Sequence, residues 1–171
     1  MTVFNELDAT GRGRLSIRLA QDETDLRAKV FFSEFRRPED LAAAEVLDCD
    51  RFDPLCDTLM VMASLPNGEE QVVGTYRLLR ESIAQVAGGF YSENEFDLAR
   101  IRGGAGRRAG ELLELGRSCV LPEFRTSATI SLLWRGIADY VAHHNIGLMF
   151  GCASFPGTDL QTHAPALSCR P

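Results

Sequence analysis

No basic excess, no paired cysteine motif and no long apolar run mark this sequence, and each absence removes a class of function. Lys and Arg number 18 against 24 Asp and Glu, a formal net charge of −6. A chain of that balance is not a nucleic-acid binder as a whole. The five cysteines, Cys49, Cys56, Cys119, Cys152 and Cys169, are odd in number and contain no C-x-x-C pair. This argues against a disulfide framework or a zinc ribbon and for a reducing compartment; we expect a cytoplasmic protein with no metal site. No stretch approaches the roughly 20 apolar residues needed to span a bilayer. Met1–Asp8 shows no basic segment leading into an apolar run, as a secretory signal would. Repeats are absent, and the one biased tract is the glycine-rich basic run Arg100–Arg108.

What is present suits one folded domain. The chain has 171 residues, 45% of them hydrophobic and 25% charged, enough for a real core. We divide it into a flexible lead-in over 1–14, a domain over 15–160 and a tail over 161–171. Leu15–Ala20 alternates and reads as a strand. Asp22 caps a helix to about Arg36, and Pro38 opens a second helix to about Leu47. Residues 48–57 form an acidic loop. Leu59–Ala63 and Gln71–Leu79 are strands joined by a hairpin turn at Pro66–Gly68. Residues 80–110 read as irregular, with a short helix near 93–100. Leu112–Leu121 is a strand, and Ser127–His144 is a helix with Ile130, Leu133, Trp134, Ile137 and Val141 at helical spacing. Gly147–Ala153 reads as a buried strand. A long helix between two apolar strands implies a parallel crossover, hence an α/β domain with a mixed sheet.

Residues 114–136 carry the chemistry. An apolar strand bears two charges, Glu114 and Arg117, then turns at Pro122 and enters a helix through Arg125, Thr126 and Ser127. A helix start presents free N–H donors and a positive dipole end, so it can hold a phosphate. The plainer reading of the same residues is a Ser/Thr helix cap. Strand, turn, Arg and helix start together resemble the acyl-donor motif of the GNAT N-acyltransferases. That resemblance implies a mixed central sheet with helices on both faces. It also implies that the phosphate of a pantetheine arm sits at the helix start.

Four flanking motifs sharpen the resemblance: Asp50–Asp57, Gly74–Leu79, Gly88–Phe96 and Gly151–Asp159. In this order they are similar to the L-ornithine N-alpha-acyltransferases, a family sometimes labelled hemolysin-like. The resemblance runs from about residue 15 to about residue 167. It implies transfer of a 3-hydroxyacyl group from acyl carrier protein to ornithine, the first step of ornithine lipid synthesis. No cofactor would be bound, because the phosphopantetheine arm arrives as part of the substrate. Product release implies transient contact with a membrane surface, peripheral at the inner membrane.

Acyl transfer to an amine must remove a proton, stabilise the oxyanion and release the thiol. Glu114, among Leu112, Leu113 and Leu115, is the base or amine-orienting candidate. A carboxylate there needs a partner. Arg117, three residues on, faces the other way in a regular strand, and a bulge would bring both to one cleft. The alternative for the two charges is a structural ion pair. Backbone N–H groups near Ser118, Cys119 and Val120 are placed at the oxyanion. A second resemblance, to the acyl-homoserine lactone synthases, implies an acceptor site from Arg27, Phe31, Asp50, Asp53 and Arg77. Acids can recognise ammonium groups, and an Arg can hold a carboxylate. Asp57 reads as a surface residue. Arg100, Arg102, Arg107 and Arg108 would steer an acidic carrier protein, or form a solvated loop. Where acetyl-CoA enzymes of the GNAT fold carry two glycines, this helix start has Ala128 and Ile130, which weakens the case for CoA. The competing functions are an acyl-homoserine lactone synthase using S-adenosylmethionine, and an inactive module that only binds carrier protein.

The remaining candidates fail. Gly116–Val120 lacks the second glycine of a nucleophile elbow. His143 and His144 sit where a helix dipole would hold them, rather than at a metal. Cys119 and Cys152 read as buried thiols, and His163 lies in a polar tail. Ser168–Pro171 does not resemble the family's continuation. That suggests a shortened C-terminal part, a bare edge on the Gly147–Ala153 strand, and a self-associating chain of weak activity.

Overall fold

The computed structural model describes residues 4–7, 14–21, 50–103, 109–154 and 157–168. The two helices expected over 22–47, and with them Arg27 and Phe31, lie outside the described residues, as do Arg107, Arg108, Cys49 and Cys169. Six strands form one sheet in sequence order. They are β1 (Phe4–Leu7), β2 (Arg14–Leu19), β3 (Asp57–Ser64), β4 (Glu70–Arg80), β5 (Glu111–Val120) and β6 (Ile146–Phe150). Neighbours run antiparallel as far as β5, and β5 pairs with β6 in parallel. The long helix α3 (Ser127–His143) makes that parallel crossover. Three shorter helices are α1 (Glu81–Val86), α2 (Ala99–Gly103) and α4 (Leu160–Leu167).

The two faces of the sheet are covered differently. Leu59, Val61, Leu78 and Leu113 point to one face and meet Leu132, Leu133, Ile137 and Tyr140 of α3. Leu79 and Leu112, one residue out of step, point to the other. There they meet Phe52, Ala84, Phe90 and Leu98 from the 50–56 turn and the 81–103 segment. Period-two alternation thus divides the apolar residues of the strands between the two faces, with Met60, Met62 and Val72 forming a third, smaller cluster, and helices lie on both faces as expected.

Several sequence expectations need correction. Phe4–Leu7, placed in the flexible lead-in, pairs with β2 over Phe4↔Ile17 to Leu7↔Arg14. The described residues of 80–110 hold two helices and a 3₁₀ turn over Tyr91–Asn94. Arg100 and Arg102 are therefore helical. Arg102 is tied to Glu93 at 2.7 Å and lies over the Phe90 ring. The buried face of α3 is Thr129, Leu132, Leu133, Gly136, Ile137 and Tyr140, whereas Ile130 and Trp134 are about half exposed. Part of the tail forms α4, begun by Asp159, whose side chain accepts from the Gln161 N–H. Asp57, expected to be a plain surface acid, accepts from the buried Tyr140 hydroxyl and lies 3.8 Å from Arg80.

Two irregularities shape the functional edge. Thr75 pairs with Cys119 but Arg77 pairs with Gly116, so β5 carries one residue more than β4. This is a bulge. Within it Arg117 takes φ +46°, a left-handed conformation uncommon for a residue with a side chain. At the end of β6, the backbone of Gly151 comes so close to β5 that a Cβ would sit 2.6 Å from the Leu115 carbonyl oxygen.

Candidate active site

The bulge joins two grooves that share no lining residue. The first, a cavity of about 250 Å³, is lined among others by Arg77, Tyr91, Ser92, Glu114, Arg117 and Cys152. The second, of about 620 Å³, runs past Ser118, Cys119 and Val120 to Arg125, Thr126, Ser127 and Ile130. The oxyanion and phosphate candidates therefore line one groove, and Glu114 and Arg117 line the other. The expected bulge does bring Glu114 and Arg117 to one cleft.

Glu114 is 5% exposed. Its Oε2 accepts the Tyr91 N–H at 2.7 Å, and its Oε1 accepts the Ser92 N–H at 2.9 Å and the Ser92 hydroxyl. The donors that offset its burial thus come from the start of the 3₁₀ turn, over twenty residues upstream. Gly88 (φ +84°) and Gly89 (φ +127°) make the bend that aims this turn inward, through conformations that suit glycine. Glu93 fixes the turn by accepting the Phe90 N–H at 2.7 Å. The Gly88–Phe96 motif thus holds Glu114 through Tyr91 and Ser92, two residues that no side-chain signal in the sequence picks out.

Asp50, Asp53, Arg77 and Arg117 form one network. Arg77 Nη1 donates to Asp50 Oδ2 at 2.8 Å and to Asp53 Oδ1 at 3.2 Å, and Arg117 Nη2 donates to Asp50 Oδ2 at 3.1 Å. The N–H groups of Phe52 and Asp53 donate to Asp50 Oδ1. Burial works against ionisation of Asp50. The hydrogen bonds from Arg77 and Phe52 and the charges of Arg77 and Arg117 outweigh it, holding the carboxyl below its ordinary 3.8. Arg77 also lies over the Tyr91 ring at 5.1 Å. Three of the expected acceptor residues therefore meet, but Asp50 and Asp53 bind guanidinium groups of this chain rather than standing open for an ammonium.

At the helix start, Thr126 is the N-cap and its Oγ1 accepts the Thr129 N–H at 3.3 Å. Arg125 Nε donates to the Val120 carbonyl at 3.1 Å, which ties the start of α3 to the end of β5. Arg125 and Ser127 are exposed. Neither Arg100 nor Arg102 lines this groove.

Cys152, expected to be buried, is exposed, and its Sγ lies 3.1 Å from Ser92 Oγ. Cys119 is half-buried. Burial pushes the Cys56 thiol up to about 12, so it stays protonated and unreactive. Among the described residues no cluster of His, Cys, Asp and Glu is arranged to hold a metal. No described helix is long and apolar enough to cross a membrane.

Residues 26–135 match the acetyltransferase (GNAT) domain family. The chain is 47% identical over 165 residues to an L-ornithine N(alpha)-acyltransferase of Brucella abortus, covering 91% of this chain and 58% of that protein. It is 44% identical over 174 residues to one of Rhizobium meliloti, covering 94% and 57%. The chain thus spans under three-fifths of the length of these curated relatives. A solved aminoglycoside acetyltransferase from an uncultured soil metagenomic sample aligns at 16% identity and a TM-score of 0.46, covering 90% of this chain and 87% of that one. With its family match over 26–135, a mixed sheet covered on both faces and a bulged β5 leading into a helix start, the chain belongs to the GNAT acetyltransferase family.

Proposed function

We propose that this chain carries the transfer site of an L-ornithine N-alpha-acyltransferase, which moves a 3-hydroxyacyl group from acyl carrier protein to the α-amine of ornithine. The observation that carries the reading is the bulge of β5, which joins a groove at a helix start to a cavity holding a buried carboxylate. The choice of ornithine as acceptor rests on the 47% and 44% identity to relatives named for it. Those names do not favour the S-adenosylmethionine alternative.

In this reading the pantetheine phosphate sits at Arg125, Thr126 and Ser127, where the first-turn N–H groups and the dipole favour an anion. The thioester lies along Ser118–Val120, whose backbone supplies oxyanion donors. Ornithine enters the Glu114 cavity, its carboxylate toward Arg117 and its α-amine toward Glu114. The amine attacks the thioester directly, with no acyl-enzyme, and Glu114 takes the proton. Arg100, exposed on α2, and the basic residues that follow it guide the acidic carrier. The enzyme works in the cytoplasm and meets the membrane surface when its product leaves.

The test uses the 171-residue chain, carrier protein loaded with 3-hydroxyacyl chains, and either ornithine or S-adenosylmethionine, read by mass. Acyl-ornithine is the expected product. Glu114→Gln keeps the shape but removes the proton acceptor, and should lower turnover by roughly 10²–10⁴. Near-wild-type turnover would leave Glu114 a structural role only.

A further inference from the structure

Glu114 is nearly inaccessible, yet a base must exchange protons with its substrate and then with solvent. Both of its oxygens are already held by peptide N–H groups. One hydroxyl, that of Ser92, reaches Oε1, and its oxygen lies 3.1 Å from the exposed Cys152 thiol. The carboxylate is an acceptor only, so it fixes the direction of this chain. Ser92 O–H donates to Glu114, and Cys152 S–H donates to Ser92 Oγ. The second lone pair of Ser92 Oγ is then left to accept from an amine in the cavity. Ser92 lines the Glu114 cavity and also the neighbouring apolar cleft of Phe96, Leu98, Ile101 and Phe150.

We propose that Ser92 is a catalytic residue, the relay through which the acceptor amine reaches Glu114; this rests on the function proposed above. The α-ammonium gives one proton to Ser92 Oγ while Ser92 passes its own to Glu114 Oε1. The freed lone pair forms the N–C bond at the thioester carbon. The tetrahedral intermediate collapses as the C–S bond breaks, and its electron pair leaves on sulfur. The second amine proton goes to that sulfur, giving amide and thiol. The proton on Glu114 then returns through Ser92 to the cavity mouth and solvent. One proton is released in each turnover, and no other reactant is needed. The Ser92 hydroxyl lines the same cavity as Glu114 and bonds its Oε1, and its hydrogen bond to a carboxylate makes its oxygen more basic.

Two measurements test the relay. Proton NMR of the resting wild-type chain should show a low-field hydroxyl resonance that disappears in both S92A and E114Q. That reading needs no substrate. In the acyl-carrier assay S92A should lose roughly 10–100-fold in kcat with less than a twofold change in the KM for ornithine, a loss within the worth of positioned proton transfer. S92T, which keeps the hydroxyl, should recover most of it. A merely structural serine would shift melting and KM together. Unchanged kcat in a folded S92A, or failure of S92T to exceed S92A, would overturn the relay. If the wild-type chain acylates no ornithine, the function proposed above fails. The relay is then decided by the resonance, whose absence overturns it and whose dependence on both residues supports it.

Discussion

Asp50 accepts two hydrogen bonds on each oxygen, from two peptide N–H groups and from two arginines. Its carboxyl is held below the ordinary value, and the sign of its linkage follows. The stability it adds is fully present above the unfolded pKa of about 3.9. It is lost as pH falls through that value toward the lower folded one. Urea unfolding should therefore show Asp50→Asn clearly weaker than wild type at pH 7, with the gap narrowing by pH 3. Arg77 is 5% exposed and Asp53 3% exposed. Arg77→Met would take the guanidinium away from both Asp50 and Asp53, so it should cost about 3–5 kcal/mol. A smaller loss in the same urea titration would mean that water or Arg117 takes over. The thiols divide just as sharply. A small alkylating reagent at pH 8 should label exposed Cys152 and spare Cys56, as peptide mass mapping would report.

The hairpin strands were legible because their alternation and the Pro66–Gly68 turn are local signals, and β3 and β4 lie where that pattern puts them, whereas the short β1 carries no such signal. The bulge was inferred from a conflict: two charges three residues apart in an apolar strand. Other features hide for physical reasons. α1 has Arg80 at its N-cap with no side-chain cap, so no start signal marks it. The face of α3 was misjudged because spacing picks out large apolar residues. Its contact with the sheet is instead close at Gly136, where a Cβ would press on Ile17 and Leu59. The partners of Glu114 are mostly peptide N–H groups of a distant turn, and every residue except proline has one. In Gly151→Ala the new methyl would meet backbone, not a yielding side chain. β6 must then move off β5 beside Gly116 and Arg117. Overpacking of this kind typically costs about 1–3 kcal/mol. Turnover should fall with it, and a variant matching wild type in both melting temperature and kcat would show that the two strands separate without disturbing the bulge.

For the molecule as a whole, the proposed function makes the helix start the element that selects the donor. Ala128 and Ile130 bring side chains where a pyrophosphate would need close backbone approach. Acyl-CoA should therefore be a much poorer donor than acyl carrier protein, and Arg125→Ala should raise the KM for the carrier while leaving that for ornithine unchanged. Equal use of both donors in a competition assay would contradict this. The disjoint linings of the two grooves have a kinetic meaning. In the proposed function the Ser118–Ser131 lining faces the acyl donor and the cavity of Arg77, Glu114 and Arg117 faces the acceptor, so neither reactant builds or blocks the other's entrance. Binding order is then free. Double-reciprocal plots at several fixed concentrations of the second substrate should intersect, and a dead-end analogue of either substrate should be competitive against its own counterpart and noncompetitive against the other.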